Sequence, residues 1–160
     1  MQQLDTSFHG GLHGKMYSPS LDLVPKEGAD GSPCEVDFVW IIPRAYPRKT
    51  VVILGECKDQ GPITVADMAN LKRITDALPR KRFKTFFVLS KLCAFSVQEI
   101  ESAKALNDKY RWRVILLTAR ELEPYFIYKR TKAELDVDVY GGTPEDMAKA
   151  TMRIYFDGGR

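Results

Sequence analysis

Polar and apolar residues alternate along positions 35–40 (Glu35, Val36, Asp37, Phe38, Val39, Trp40), and a β-branched run follows at 51–58, ending Glu56-Cys57-Lys58. Both stretches predict β-strands, since branched and aromatic side chains suit a pleated, packed surface. The segment between them carries Pro43 and Pro47. Proline donates no ladder hydrogen bond, so this segment reads as the loop of an antiparallel hairpin. A shorter strand is expected at 20–24, reached after an irregular or flexible arm over 1–20.

Beyond Lys58 the period changes. Asp59-Gln60-Gly61-Pro62 breaks the strand, and Thr64 with Asp67 three residues on forms a capping-box-like start. Val65, Met68, Leu71, Ile74 and Leu78 then recur at helical spacing until Pro79. The apolar run at 83–89 predicts a strand buried on both faces. Ser96 and Glu99 open a second helix with Val97, Ile100, Ala103 and Leu106 on one side, and a buried strand is expected at 113–117. Thr118 with Glu121 caps a further helical segment that ends near Pro124. Thr143-Pro144-Glu145-Asp146 opens a last helix whose Met147, Ala150 and Ile154 form its docking face. Strand, helix, strand at these lengths is a right-handed crossover between parallel neighbours. The fold class is therefore α/β: a mixed sheet, antiparallel hairpin first and parallel strands after, with helices on both faces. Residues 21–160 read as one domain without repeats.

Side chains change face at every step along a strand. Glu35, Asp37 and Val39 should share one face, with Val36, Phe38 and Trp40 on the other. In the next strand Leu54, Glu56 and Lys58 share a face, and Ile53, Gly55 and Cys57 oppose them. The hairpin can thus bring Asp37, Glu56 and Lys58 to one end of one face. Charges on otherwise apolar strands are costly unless paired, solvated or bound to a metal. Two neighbouring carboxylates suit Mg²⁺ or Mn²⁺, a hard cation that takes one or two carboxylates and keeps waters. Such an ion activates bound water and offsets charge on a phosphate, and a nearby lysine can orient or deprotonate that water. The chemistry this suits is phosphodiester hydrolysis.

An acid on one strand followed by Glu56-Cys57-Lys58 at the end of the next resembles the PD-(D/E)XK nucleases, which include restriction endonucleases and Holliday-junction resolvases. Val36 stands where the motif's name has Pro, but Glu35-Val36-Asp37 matches the Glu-x-Asp form of many members. The resemblance covers roughly residues 34 to 118. It implies a restriction-endonuclease-like fold and metal-dependent cleavage of DNA, with Asp37 and Glu56 as metal ligands. It further implies Lys58 as the catalytic lysine, the backbone carbonyl of Cys57 as a further metal ligand and Gln60 as an accessory to the water or the DNA. Glu35 is a second accessory candidate. DNA, duplex or branched, is the implied partner, though nothing separates it from RNA. A homodimer or further domains of a longer protein would complete a short chain of this kind.

Composition narrows the alternatives. With 44% hydrophobic and 28% charged residues over 160 positions, the chain can build a real core. No apolar run reaches the ~18 residues of a membrane span. Three cysteines without metal-ligand spacing argue for the reducing cytoplasm rather than a disulfide framework. The net charge of +3 is too small to require a nucleic-acid partner, but it permits one where cations cluster. Arg44, Arg48 and Lys49 form one cluster, and Arg80, Lys81, Arg82 and Lys84 another; both belong at strand ends remote from Glu56. Lys72, Arg73 and Lys91 are further candidates. His9 and His13 flank Gly10-Gly11, which disfavours the helix a two-His site would need, and Asp22 reads as an edge-strand polar residue. Trp40, Trp112 and Cys57 are expected in the core. No GxGxxG or Walker A loop is present, which weighs against a nucleotide-dependent small-molecule enzyme. The competing class is a catalytically inactive nuclease-fold module that binds nucleic acid or acts as a scaffold.

Overall fold

The computed structural model describes residues 16–24, 27, 33–45, 47–119 and 143–157. Five strands form one sheet in sequence order: β1 (Met16–Leu23), β2 (Cys34–Ile42), β3 (Thr50–Lys58), β4 (Phe83–Lys91) and β5 (Val114–Leu117). β1 pairs with β2, and β2 with β3, antiparallel, whereas β3, β4 and β5 run parallel. Helix α1 (Val65–Ala77) makes the crossover from β3 to β4, and α2 (Val97–Tyr110) the one from β4 to β5. Helix α3 (Pro144–Thr151) continues into a π-helical turn, Met152–Phe156. This is the mixed α/β sheet that the hydrophobic pattern and the nuclease resemblance both imply.

Each face of the sheet has its own core. Val52, Leu54, Phe87 and Leu89 pack with Met68 and Leu71 of α1 and with Ala103 and Leu106 of α2. On the opposite face Trp40, Val51, Ile53, Phe86, Val88 and Ile115 meet Met147 and Ala148 of α3. The capping boxes expected at Thr64 and Asp67 and at Ser96 and Glu99 both form, and Thr143 caps α3 with Pro144 in its first turn. The outer edge of β5 is sealed by side chains: Val114 N–H donates to Asn107 Oδ1 at 3.1 Å and Leu116 N–H to Thr151 Oγ1 at 3.0 Å. Unpaired edge groups are thereby satisfied without another strand.

The structure departs from the sequence pattern in several places. β1 starts at Met16, four residues before the expected strand, because its pairing with β2 runs on to Ile41. Val36 joins the core beneath α1 and α2, whereas Phe38 and Trp40 join the opposite one. Strict alternation would put all three on one face. The pairs run Pro19 with Phe38 and then Leu21 with Val36, skipping Ser20 and Asp37. Ser20 is held at φ 35°, a left-handed conformation that breaks the pleat where Asp37 lies. Trp112 is 61% exposed, not buried, because it follows the left-handed end of α2 and has a positive φ itself. Val65 and Val97 are exposed at the first turns of their helices. Cys57 is exposed, lying at the end of β3 beyond the packed core. The helical segment expected from Thr118 to Pro124, and His9 and His13, lie wholly or mainly outside the described residues.

Candidate active site

β2 and β3 end together at the edge where the sheet meets the first turn of α1. The last ladder pair before that edge is Phe38 with Gly55, so Asp37 comes next to Glu56 in register. Instead of a continued backbone ladder, the Cys57 N–H donates to Asp37 Oδ2 at 2.6 Å. Asp37 is therefore tied to the backbone between Glu56 and Lys58. A glycine is required one step earlier: a Cβ on Gly55 would overlap the buried ring of Phe38. That ring lies over Gly55 and belongs to the core that Met147 and Ala148 of α3 cover.

Glu56 follows Val52 and Leu54 on the face covered by α1 and is only 8% exposed. Lys58 Nζ lies 2.5 Å from Glu56 Oε1 and 3.4 Å from Asp67 Oδ1. Asp67 is the capping-box residue of α1, with Oδ2 accepting from Thr64 N–H at 2.7 Å and from the Thr64 hydroxyl at 2.8 Å. Burial pushes Glu56 above its ordinary carboxylate range; the Lys58 bond opposes this, and the charges of Asp37 and Asp67 add to it. The Glu56 bond, opposed by desolvation, raises Lys58. Glu56 and Asp67 thus share one ammonium, with Asp37 acting on Glu56 alongside, an excess of negative charge at a partly open strand end.

The loop from Lys58 to α1 is held from below. Glu99 at the start of α2 accepts from Ile63 N–H at 2.8 Å and Ser96 N–H at 2.8 Å, and it pairs with Lys91 at 2.9 Å. Burial raises Glu99, but its bonds to Ser96, Lys91 and Ile63 hold it down at about 2. Lys91, 5% exposed, is therefore a structural partner rather than a nucleic-acid contact.

Asp37, Glu56 and Lys58 are brought together; the other candidates are not. Glu35 is exposed on β2 opposite Asp22, and Gln60 is exposed in the bend after β3. Arg80, Lys81 and Arg82 form the turn before β4, at the sheet end remote from Lys58, where Arg82 C=O accepts from Thr50 N–H. Arg80 pairs with Asp76, and Lys84 and Arg44 both pair with Glu145. In sequence Asp67 carries only the signature of a helix cap. Its approach to Lys58 depends on how α1 docks, which the spacing of residues does not encode.

The donor set fits a hard divalent cation. Asp37 and Glu56 supply two carboxylates, and the Cys57 carbonyl lies between Glu56 and Lys58. Among the described residues no group of three or more His, Cys, Asp or Glu side chains could hold a metal ion. A protein-only cage of the kind Zn²⁺ uses is thus not formed there, whereas Mg²⁺ needs only one or two carboxylates with water and substrate oxygens. No helix among the described residues is long and apolar enough to cross a membrane.

No protein-family model and no curated protein matches the chain. Among solved structures it is similar to MspJI restriction endonuclease in complex with a 27-mer oligonucleotide, at 22% identity and a TM-score of 0.39. The match covers 88% of this chain, which spans only 28% of that one. A likeness this distant says nothing about activity.

Proposed function

We propose that this chain is a metal-dependent nuclease that hydrolyses phosphodiester bonds in DNA, in repair, recombination or defence against foreign DNA. The observation that carries this reading is the meeting of Asp37, Glu56 and Lys58 at one end of the β2–β3 pair. Asp37 and Glu56, with the Cys57 carbonyl, would hold Mg²⁺ or Mn²⁺. When bound, that cation would lower the pKa of a coordinated water and offset charge developing on the phosphate. The Cys57 N–H fixes the Asp37 carboxylate, so one ligand is oriented before any ion arrives. Lys58, on the same face, orients the attacking water and offsets phosphate charge with its ammonium. Asp67 holds Lys58 from the helix side, which keeps the ammonium near the site when Glu56 turns to an ion.

The second reading is an inactive nuclease-fold module for binding nucleic acid or for scaffolding. The engagement of Lys58 by both Glu56 and Asp67 favours it, since an ion-paired lysine needs no catalytic explanation. Incubation with Mg²⁺ or Mn²⁺ and single-stranded, duplex, branched and RNA substrates separates the two. Metal-dependent cutting by the wild type that is lost in Glu56→Gln is the expected result. Absence of cutting together with absence of Mn²⁺ binding by calorimetry would leave the module reading.

A further inference from the structure

At the other end of the sheet, between the C-terminal ends of α1 and α2, lies a cavity of about 380 Å³. Five cations line it: Lys49, Arg80, Lys109, Arg111 and Arg113. The nine residues of β3 separate it from Lys58 by eight steps of ~3.3 Å, roughly 26 Å, so the two sites are distinct.

Cations near helix C-termini have an ordinary explanation, because they complement the helix dipole. That accounts for Lys109 in the last turn of α2 and for Arg80 just beyond α1, which also pairs with Asp76. It does not account for Lys49 and Arg113, which precede strands, and neither makes an ion pair with a carboxylate among the described residues. Burial and the neighbouring Arg80 charge disfavour the charged form of Arg113, and the charge of Glu145 favours it. Arg111 has no such pair either, and it occupies the left-handed C-cap of α2 at φ 55°, where glycine is the unstrained choice. Thr75 lines the same cavity, is only 5% exposed, and its hydroxyl has no hydrogen-bond partner. A buried hydroxyl left unpaired is costly, so the wall of the cavity is a place where stability is given up. Leu78 and Phe83 give the cavity an apolar wall, and its volume lies in the range that holds a small organic ligand.

We propose that this cavity binds a phosphomonoester borne on a nucleoside: the phosphate between Arg111 and Arg113, the ring against Leu78 and Phe83. Guanidinium forks match phosphate oxygens bidentately, and such charge-assisted bonds are the strong ones. The nucleotide is free or is the 5′ end of a nucleic acid, and both present the same chemistry. The proposal stands independently of cleavage at Glu56.

Calorimetry in EDTA with the full chain tests it, using adenosine, adenosine monophosphate, a 5′-phosphorylated tetranucleotide and the same tetranucleotide without its phosphate. The phosphorylated member of at least one pair should bind tighter by on the order of tenfold or more. Binding of the mononucleotide identifies a free ligand; binding of the phosphorylated tetranucleotide alone identifies a nucleic-acid end. Arg113→Gln should weaken binding by about tenfold, as charge-assisted bonds do, and Arg153→Gln, an equal loss of charge at an exposed position outside the cavity lining, should not. Arg111→Gly relieves the left-handed backbone and should therefore fold at least as stably as the wild type while binding more weakly. Equal affinity with and without phosphate in both pairs, or unchanged affinity in Arg113→Gln and Arg111→Gly, would overturn the proposal.

Discussion

At the scale of single residues, the candidate site is a place where stability is given up. Glu56 is buried beside Asp37 and shares its one cation with Asp67. Nothing in the packing of β3 calls for a carboxylate there, since Val52 and Leu54 fill the same face with apolar groups. Mg²⁺ should therefore raise the melting temperature of the wild type. Binding to the folded state alone stabilises by about 1.4 kcal/mol when the free ion is near tenfold above its dissociation constant. Glu56→Gln should lose that shift while melting, in the absence of metal, no lower than the wild type. Scanning calorimetry with and without Mg²⁺ reads both, and a shift that survives in the variant would remove Glu56 from the ligand set. Gly55 gives the opposite case, a residue present for packing. The Phe38 ring occupies the place of its side chain and is itself buried, so it cannot yield cheaply. Gly55→Ala should cost about 1–3 kcal/mol by overpacking, seen as a lower urea midpoint. An unchanged midpoint would mean that β2 and β3 can slide apart at this point.

At the scale of elements, the sequence was most legible where a local rule and the tertiary packing agree. The hairpin, both capping boxes and the buried run of β4 follow from proline placement, capping chemistry and continuous apolarity. It was least legible where a neighbour decides. The break at Asp37 comes from the backbone of Ser20 on the adjacent strand, and the exposure of Trp112 comes from the way α2 ends. Within the site, the face shared by Glu56 and Lys58 follows from strand period, and the nearness of Asp37 to Glu56 from hairpin register. The part played by Asp67 does not, because a capping residue and a lysine clamp look alike in sequence. Asn107 and Thr151 make the same point: both are polar helix residues whose purpose appears only when β5 lies beside them. Each satisfies one edge N–H of that strand, and the two residues are 1% and 0% exposed. Thr151→Val keeps the shape and leaves the Leu116 N–H unpaired, at a cost of about 1–3 kcal/mol. Urea denaturation should show a lower midpoint at unchanged slope. No loss of stability would mean that water reaches the β5 edge.

At the scale of the whole molecule, one buried ion pair joins parts of the fold that no single element connects. Glu99 ties α2 to Lys91 at the end of β4 and to the Ile63 backbone in the loop that carries the chain from the candidate site into α1. Its carboxyl is held at about 2, well below the ordinary 4.5, so the folded state binds this proton less readily than the unfolded chain does. For a depressed carboxyl, the stabilisation is complete above the unfolded pKa and is lost as pH falls through the folded one. The window is therefore about 4.5 down to about 2. Removing the charge strands Lys91 in a site that is 5% exposed. Breaking one side of a buried pair typically costs about 3–5 kcal/mol, because the remaining charge has no partner. Glu99→Gln should then melt well below the wild type at pH 7. Its melting temperature should also fall less steeply than the wild type's between about pH 4.5 and pH 2, so that the two curves converge in acid. Parallel curves across that range would show that other carboxylates set the acid sensitivity, and that the pair holds the site loop by packing rather than by charge.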